Sequence, residues 1–314
     1  MLKTLIVMAN VSLSNAKRAK NDEFYTQLSD IENELKHYKS HFAGKVVYCN
    51  CDDARKSNFF RFFQKKFNDY GLKKLITTSY NENGHGSVLV YEGDTNGNGK
   101  LDDSEIKVSE LKGNGDFRSE ECLELLKESD IVVTNPPFSL FREYIATLVQ
   151  YNKKFLVIGN QNAITYKEIF PLIKENKLWT GNNMVKTFRV PQVTNKNCEV
   201  LPNGDIIAKF GSICWFTNLD IKKRHEEIIL YKSYNEEEFP KYDNYDAIEV
   251  SKVCEIPKDY DGVMGVPITF LYRYNPSQFE IVGCANHGTD NKYDLCKPTI
   301  KGKLIYKRLL IKRK

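Results

Sequence analysis

The chain has 314 residues, of which 41% are hydrophobic and 12% aromatic, enough to bury a full core in one large domain and a smaller one. The apolar run near its start, Leu5 to Ala9, is too short to span a bilayer or to form the core of a signal peptide, so a membrane-spanning protein is excluded and a cytoplasmic one is expected. The net charge is +5, and the first 20 and last 14 residues contain lysines and arginines without any acidic residue, which suits a polyanionic partner or a solvated surface equally well.

Short apolar runs alternate with amphipathic stretches along much of the chain. The predicted elements are a helix over 22–37, a strand over 46–49, a helix from a Ser57 cap to Phe67, a strand over 75–78, a strand over 131–134, a helix over 140–150, a strand over 155–159 and a helix over 166–176. This alternation is typical of βαβ units, so the sequence predicts an α/β fold with a mostly parallel sheet and helices on both faces. Ligands of such sheets bind outside the carboxyl ends of the strands, which places the turns 51–57, 113–119 and 135–139 at one edge.

The pattern changes to short strands and loops after Trp179 and becomes less regular after Leu219. We therefore expect a core domain over residues 1–219 and a second region over residues 220–314.

The segment from Asp94 to Glu105 matches the calcium loop of an EF-hand position for position, including Gly99 at the sharp turn. An EF-hand needs a helix before the loop, whereas residues 87–91 and 106–108 have the pattern of two strands. A polar hairpin loop in an insertion near residues 84–112 is therefore favoured over a calcium site. The cysteines also lack the paired spacing of structural zinc ligands, so no metal site is predicted.

The most informative motif is the turn formed by Asn135, Pro136, Pro137 and Phe138, which directly follows the predicted strand over 131–134. The Asn135 side-chain oxygen and the Pro136 carbonyl can accept both hydrogens of an amino group on a planar ring, while Phe138 can stack on that ring. Two acceptors draw the nitrogen towards sp3 character and stabilise the positive charge that develops as it attacks a methyl sulfonium. The prolines fix the loop and carry no amide hydrogen that would compete for the acceptors. The motif thus predicts a catalytic loop, with a proline-stiffened structural turn as the alternative.

Polar residues in two other turns predict a cofactor pocket beside this loop. Asp52 and Asp53 follow the first predicted strand, where carboxylates can bind ribose hydroxyls or an amine, and Asp116 with Phe117 can hold an adenine. A helix-entry turn explains Asp52 and Asp53 equally well, because acidic residues are favourable near a helix N-terminus.

These motifs occur together in a known family. The chain resembles the family of the adenine-specific modification methyltransferase that partners the EcoRI restriction endonuclease, and the resemblance is carried by residues 20–27, 46–53, 57–60, 115–119, 131–140, 158–160, 162–163, 165–168, 241–245 and 262–271. It implies a class I methyltransferase fold, S-adenosylmethionine as methyl donor, and the gamma order of motifs, in which target recognition comes last.

The resemblance also implies roles for individual positions. Tyr25 and Thr26 would contact the methionine end of the cofactor, Asp52 would bind its polar groups, and Asp116 with Phe117 would hold its adenine. The loop 135–138 would hold a flipped base. The usual glycine-rich turn after the first strand is replaced by residues 50–55, which leaves open whether Asp52 or its neighbour contacts the cofactor.

The implied function is site-specific methylation of adenine N6 in double-stranded DNA, with residues 220–314 reading the target. GAATTC is a candidate site and a restriction endonuclease a candidate partner, while the oligomeric state is left open. The residues themselves leave two alternatives. One is the same chemistry on cytosine N4, an RNA adenine or a protein glutamine, and the other is a non-catalytic DNA-binding or calcium-binding module.

Overall fold

The structure is a computed structural model that describes residues 25–51, 56–98, 103–190, 193, 197–285, 294–295 and 297–314. The chain forms two compact units. The first contains the described residues up to Asn160 together with Asn183–Leu219, and the second contains Gln161–Asn182 and Asp220–Lys314. None of the helices in these ranges is long and apolar enough to cross a membrane.

Strands and short helices are interspersed as far as β7, and the elements after it are mainly strands. Up to the end of β7 they are β1 (Tyr25–Thr26), α1 (Leu28–Leu35), β2 (Val46–Cys49), α2 (Asn58–Lys65), α3 (Phe67–Tyr70), β3 (Lys74–Ser79), β4 (Ser87–Tyr91), β5 (Lys107–Glu110), α4 (Glu120–Glu128), β6 (Ile131–Thr134), α5 (Phe141–Gln150) and β7 (Lys154–Asn160). They continue with α6 (Phe170–Lys174), β8 (Trp179–Val190), β9 (Cys198–Val200), β10 (Ile206–Thr217), β11 (Ala247–Glu249), β12 (Val263–Pro267), β13 (Phe279–Ala285), β14 (Asp294–Leu295), β15 (Thr299–Ile300), β16 (Lys303–Leu304) and β17 (Arg308–Arg313).

The first unit is built on a sheet with the strand order β1-β8-β10-β7-β6-β2-β3-β4-β5, and β9 is added beside β10. The four central strands β7, β6, β2 and β3 are parallel, whereas β10 pairs antiparallel with β7, and β4 pairs antiparallel with both β3 and β5. The predicted α/β class is therefore confirmed. Fewer strands are parallel than in the mostly parallel sheet that the sequence predicts, because β4 and β5 at one side and β10 at the other pair antiparallel with their neighbours.

The chain reverses direction across the sheet between β2 and β6. From β2 it proceeds through α2 to β3 on one side, and from β6 it proceeds through α5 to β7 on the other. Every residue of β2 and of β6 is buried, as expected for strands at the centre of a sheet. The crevice outside the carboxyl ends of β2 and β6 is thus the topological switch point, where ligands of open α/β sheets bind.

Local sequence signals explain how α2 and α3 begin and end. Ser57 caps α2, since its side-chain oxygen accepts a hydrogen bond from the Phe59 amide at 3.1 Å. The apolar face of α2 is buried, and Phe59 packs edge-on against the fully buried Trp215 at 6.0 Å between ring centroids. Gly71 ends α3 with a φ of 63°, a left-handed conformation that glycine adopts without a side-chain clash.

Two predicted helices differ from the structure. The helix predicted over 22–37 begins only at Leu28, because Tyr25 and Thr26 form a strand that pairs with β8. This pairing joins segments far apart in sequence, so the helical spacing of the local pattern does not reveal it. The helix predicted over 166–176 is α-helical only over Phe170–Lys174.

The second unit contains a sheet with the order β11-β12-β17-β13-β14. It also includes Gln161–Asn182, which the sequence assigns to the first domain. The physical reason is that this segment bonds to β13 and to the short helical turn after β12. The Lys174 amine donates to the Val282 carbonyl at 2.7 Å, and the Thr180 hydroxyl donates to the Leu271 carbonyl at 3.2 Å.

A buried ionic network braces the second sheet. The Arg308 guanidinium lies 2.6 Å from Glu249, whose carboxylate also accepts hydrogen bonds from the Tyr242 and Ser251 hydroxyls. Burial and the neighbouring Glu249 carboxylate both raise the pKa of Tyr242. The phenol therefore stays protonated and continues to donate.

Candidate active site

Asn50 and Cys51 follow β2 at the switch point. Asn50 is 3% exposed, and Cys51 adopts a φ of 68°, in the left-handed region that side chains other than glycine rarely enter. The chain therefore makes its sharp turn at Cys51 without the glycine that such turns usually contain. The predicted cofactor residues Asp52 and Asp53 lie outside the described residues.

The predicted catalytic loop begins directly where β6 ends. Asn135 and Pro136 are buried, and Asn135 is 8% exposed, while Pro137 and Phe138 are half-buried. The Leu140 amide donates to the Pro137 carbonyl at 3.0 Å, which closes a short helical turn leading into α5. The loop is thus held between a buried strand and a helix, as the sequence predicts.

Asn50 joins the two strand ends at the switch point. Its backbone carbonyl accepts a hydrogen bond from the Thr134 hydroxyl, and its side-chain oxygen accepts one from the Tyr144 hydroxyl. Thr134 is the last residue of β6, and Tyr144 lies on α5, immediately after the catalytic loop. Asn50 is therefore bonded to the elements on both sides of the catalytic loop, which are β6 before it and α5 after it.

Phe117 and Asp116 lie in the turn before α4. The Phe117 ring is buried and meets the Tyr144 ring edge-on at 5.1 Å. The Asp116 carboxylate is bound by the Arg118 guanidinium at 2.6 Å and by the Arg118 amide at 2.9 Å. These hydrogen bonds lower the pKa of Asp116, so the carboxylate is ionised at neutral pH and acts as an acceptor.

Strand β1 is the third part of the site. The Asn58 side chain, at the start of α2, donates to the Thr26 carbonyl at 2.7 Å. In the pairing of β1 with β8, Thr26 lies opposite Phe188, and the Phe188 ring meets the Phe138 ring edge-on at 6.4 Å. Tyr25 is half-buried. Phe188 therefore connects the residues predicted for the cofactor to the last residue of the catalytic loop.

Contacts in the structure thus link two groups of predicted site residues. Phe117 is linked to the carboxyl end of β2 through Tyr144, and Thr26 is linked to Phe138 through Phe188. Sequence reasoning did not single out Tyr144 or Phe188. Each is one aromatic residue in an apolar element, and no local pattern distinguishes it from a residue that only fills the core.

The calcium-like loop connects β4 to β5, which form the predicted antiparallel hairpin. One Asp94 oxygen accepts hydrogen bonds from the Gly97 and Asn98 amides at 2.7 and 3.1 Å. One Glu105 oxygen likewise accepts from amides within the loop. In the ranges that the structure describes, no cluster of three or more side chains suited to a metal ion occurs, and part of the loop lies outside those ranges. The loop is flanked by strands and not by helices, as the sequence predicts.

The strand order, the antiparallel β10 beside β7, and an acceptor-rich loop at the switch point together define an α/β methyltransferase of class I. The family model of the EcoRI adenine-specific methyltransferase matches residues 12–314. The chain is 51% identical to the Type II methyltransferase M.EcoRI of Escherichia coli, over 97% of both chains. It is 45% identical to M.MgeORF184P of Mycoplasma genitalium and 44% identical to M.MpnI of Mycoplasma pneumoniae, over 86% of this chain and 85% of each relative. The protein belongs to the EcoRI family of adenine-specific methyltransferases.

Family membership decides between the alternatives that the residues left open. An adenine-specific enzyme family favours adenine over cytosine N4 or a glutamine amide, and it does not support a non-catalytic module. The chain is an enzyme of DNA modification, since the relatives that it matches over most of their length are Type II methyltransferases.

Proposed function

We propose that this protein transfers a methyl group from S-adenosylmethionine to N6 of an adenine that it has extruded from double-stranded DNA, at a specific sequence. The observation that carries the proposal is the position of Asn135, which directly follows β6 at the switch point. The end of β2 lies beside it, because Thr134, the last residue of β6, bonds to Asn50. A base in a stacked duplex cannot reach such a crevice, so extrusion costs a few kcal/mol of unstacking, which binding must offset.

The residues beside the loop suit S-adenosylmethionine. The Thr26 hydroxyl is buried and has no hydrogen-bond partner among the described residues, so a polar ligand group would satisfy it. The ionised Asp116 carboxylate can accept hydrogen bonds from an adenine amine, and the Phe117 ring offers an apolar wall. Tyr25 together with Asp52 or Asp53 completes the set that would hold the cofactor. When bound, S-adenosylmethionine supplies an electrophilic methyl group on a positively charged sulfur.

The catalytic loop would act as an acceptor pair. The Asn135 side-chain oxygen and the Pro136 carbonyl accept the two N6 hydrogens, Pro137 fixes the loop, and Phe138 stacks on the extruded base. Acceptance of both hydrogens localises the nitrogen lone pair and stabilises the positive charge that forms on N6. The site needs no strong base, because the proton leaves only after that charge has formed.

The biological setting extends the proposal. The family is that of the EcoRI modification enzyme and the relatives carry Type II names, which favours a cognate restriction endonuclease that cuts the same sequence, with GAATTC as the candidate. Residues 220–314 are proposed to read the target, and Lys312 and Arg313 at the end of the last strand β17 are proposed to contact phosphates.

The test combines product analysis with one variant. Methyl-labelled S-adenosylmethionine is incubated with unmethylated DNA, and the DNA is then digested to nucleosides. We expect label in N6-methyladenine, whereas label in cytosine, or label only when RNA or protein is supplied, would contradict the proposal. Asn135→Ala should lower methylation by about 100-fold or more, the loss typical of removing one preorganised group that stabilises the transition state, while cofactor binding measured by calorimetry is retained. Asn33→Ala, which changes an exposed asparagine on α1, is the matched control and should be fully active.

A further inference from the structure

The second unit contains a groove with a volume of about 810 Å³, in which two large apolar side chains are exposed to solvent. They are Ile229, which is 67% exposed, and Tyr231, which is 74% exposed. Exposed apolar side chains that line one groove are typical of a surface that binds a partner.

The segment that carries them, residues 226–234, has no regular secondary structure but is bonded at several points. The Gln278 side chain accepts from the Ile228 amide at 2.9 Å and donates to the Ile228 carbonyl at 2.8 Å. The Lys258 amide donates to the Lys232 carbonyl at 2.9 Å, and the Tyr234 amide donates to Asp259 at 2.7 Å. The segment is therefore fixed on both sides of Ile229 and Tyr231.

Exposure alternates along this fixed segment. Ile228 is 9% exposed and Leu230 is half-buried, whereas Ile229 and Tyr231 are exposed. Successive side chains of an extended backbone point to opposite sides, so the less exposed pair anchors the segment and the exposed pair is presented together. Exposure of these two residues thus follows from the anchoring of the segment.

The charged groups of the groove are mixed in sign. Lys223, Lys252 and Arg273 line it together with Glu226 and Glu227. Arg273 is exposed and makes no hydrogen bond or ion pair within the ranges that the structure describes. A surface that only follows the phosphate backbone needs cations alone. Guanidinium, carboxylate and apolar groups side by side are the chemistry that reads base edges, since they match guanine acceptors, the cytosine amine and the thymine methyl group respectively.

We infer that this groove reads base edges of double-stranded DNA and is a specificity-determining surface of the enzyme, with Ile229, Tyr231 and Arg273 as contact residues. The inference rests on the proposed function, because it assumes that DNA is the substrate.

The experiment uses the full chain and does not require the recognition sequence in advance. Unmethylated bacterial genomic DNA is treated with the wild type or with Ile229→Ser, Tyr231→Ser or Arg273→Gln, and N6-methyladenine is then mapped by single-molecule sequencing. Each groove variant should lower the rate ratio between the preferred site and sites that differ by one base pair by about 10-fold or more, which is the discrimination that one base contact supplies.

Matched controls lie in the same unit but outside the groove. Leu304→Ser and Tyr306→Ser alter side chains that are 69% and 56% exposed, and Lys241→Gln removes an exposed charge. These controls should keep the wild-type ratio. Cofactor affinity and the unfolding midpoint should be unchanged in all six variants, because none of the altered side chains is buried.

Two results would overturn the inference and leave the proposed function intact. In one, the wild type methylates DNA and the groove variants keep its sequence ratio. In the other, the groove variants lose rate uniformly at all sites, which indicates contact with the backbone alone. A wild-type protein that leaves genomic DNA unmethylated would contradict the proposed function itself.

Discussion

Replacing Tyr144 by phenylalanine tests whether the contacts of Asn50 position the active site. The substitution removes only the hydroxyl that donates to the Asn50 side chain and leaves the ring that packs against Phe117. Tyr144 is 1% exposed and Asn50 is 3% exposed, so water cannot readily replace the lost donor. An unsatisfied buried acceptor costs about 1–3 kcal/mol, and if Asn50 turns to find another partner, the end of β2 moves relative to the catalytic loop.

The expected loss of rate follows from that free energy. If the full cost of about 1–3 kcal/mol appears in the reactive complex, the single-turnover rate falls by about 5- to 150-fold. The assay is rapid-quench methylation with saturating cofactor and DNA, accompanied by urea unfolding of the free enzyme. We expect a slower single turnover, weaker cofactor binding, and unchanged affinity for DNA when no cofactor is present.

Tyr38→Phe is the matched control for the loss of a buried hydroxyl. Tyr38 is fully buried and its hydroxyl donates to Glu34 at 2.7 Å, a contact that involves neither Asn50 nor the catalytic loop. It should lower stability without lowering the single-turnover rate. If Tyr144→Phe likewise loses stability and keeps the wild-type rate, the positioning role of the Asn50 contacts is refuted.

Two further predictions concern packing and pH. Gly265→Ala should destabilise the second unit by about 3–5 kcal/mol, as when a buried ion-pair network is broken, because the added carbon would lie 2.0 Å from the Tyr242 hydroxyl. Gly211→Ala, where nothing lies within 4 Å, should show no steric loss of this kind, and equal urea midpoints for the two variants would contradict the argument. Arg118 lowers the pKa of Asp116 below its ordinary value of 3.8, so this pair stabilises the fold above that pH and the contribution is lost as pH falls through the lowered pKa. In Arg118→Gln the fall in unfolding free energy on acidification below about pH 4 should be shallower, and an identical acid profile would show that the pair does not contribute.

Parts of the fold could be predicted because their signals are local. The strands at Val46–Cys49 and Ile131–Thr134 have the predicted bounds, since four apolar residues between polar turns describe a buried strand. The capping role of Ser57 and the stop at Gly71 also depend on one residue and its immediate neighbours. From these elements the switch point, and the catalytic loop beside it, follow by the geometry of parallel sheets.

The parts that could not be predicted depend on contacts between distant segments. The pairing of Thr26 with Phe188 turns the start of a predicted helix into a strand, and the hydrogen bond from Tyr144 to Asn50 joins residues 94 positions apart. Gln161–Asn182 joins the second unit because it packs there, not because its composition differs from that of its neighbours. A pattern within one segment contains no information about a partner elsewhere in the chain, so tertiary pairing overrides local propensity at these sites.

The hydrogen bonds of Asn50 have a consequence for how such enzymes can diverge. A glycine-rich turn is compliant, whereas the turn that begins at Cys51 with a φ of 68° starts from a backbone fixed by Thr134 and Tyr144. The end of β2 therefore sets the direction in which the chain enters this turn, and residues of the turn that are not proposed to contact the cofactor can change in sequence. Related enzymes should accordingly substitute positions 54 and 55 freely relative to positions 50 and 144, and a relative that lacks the tyrosine should also lack the asparagine.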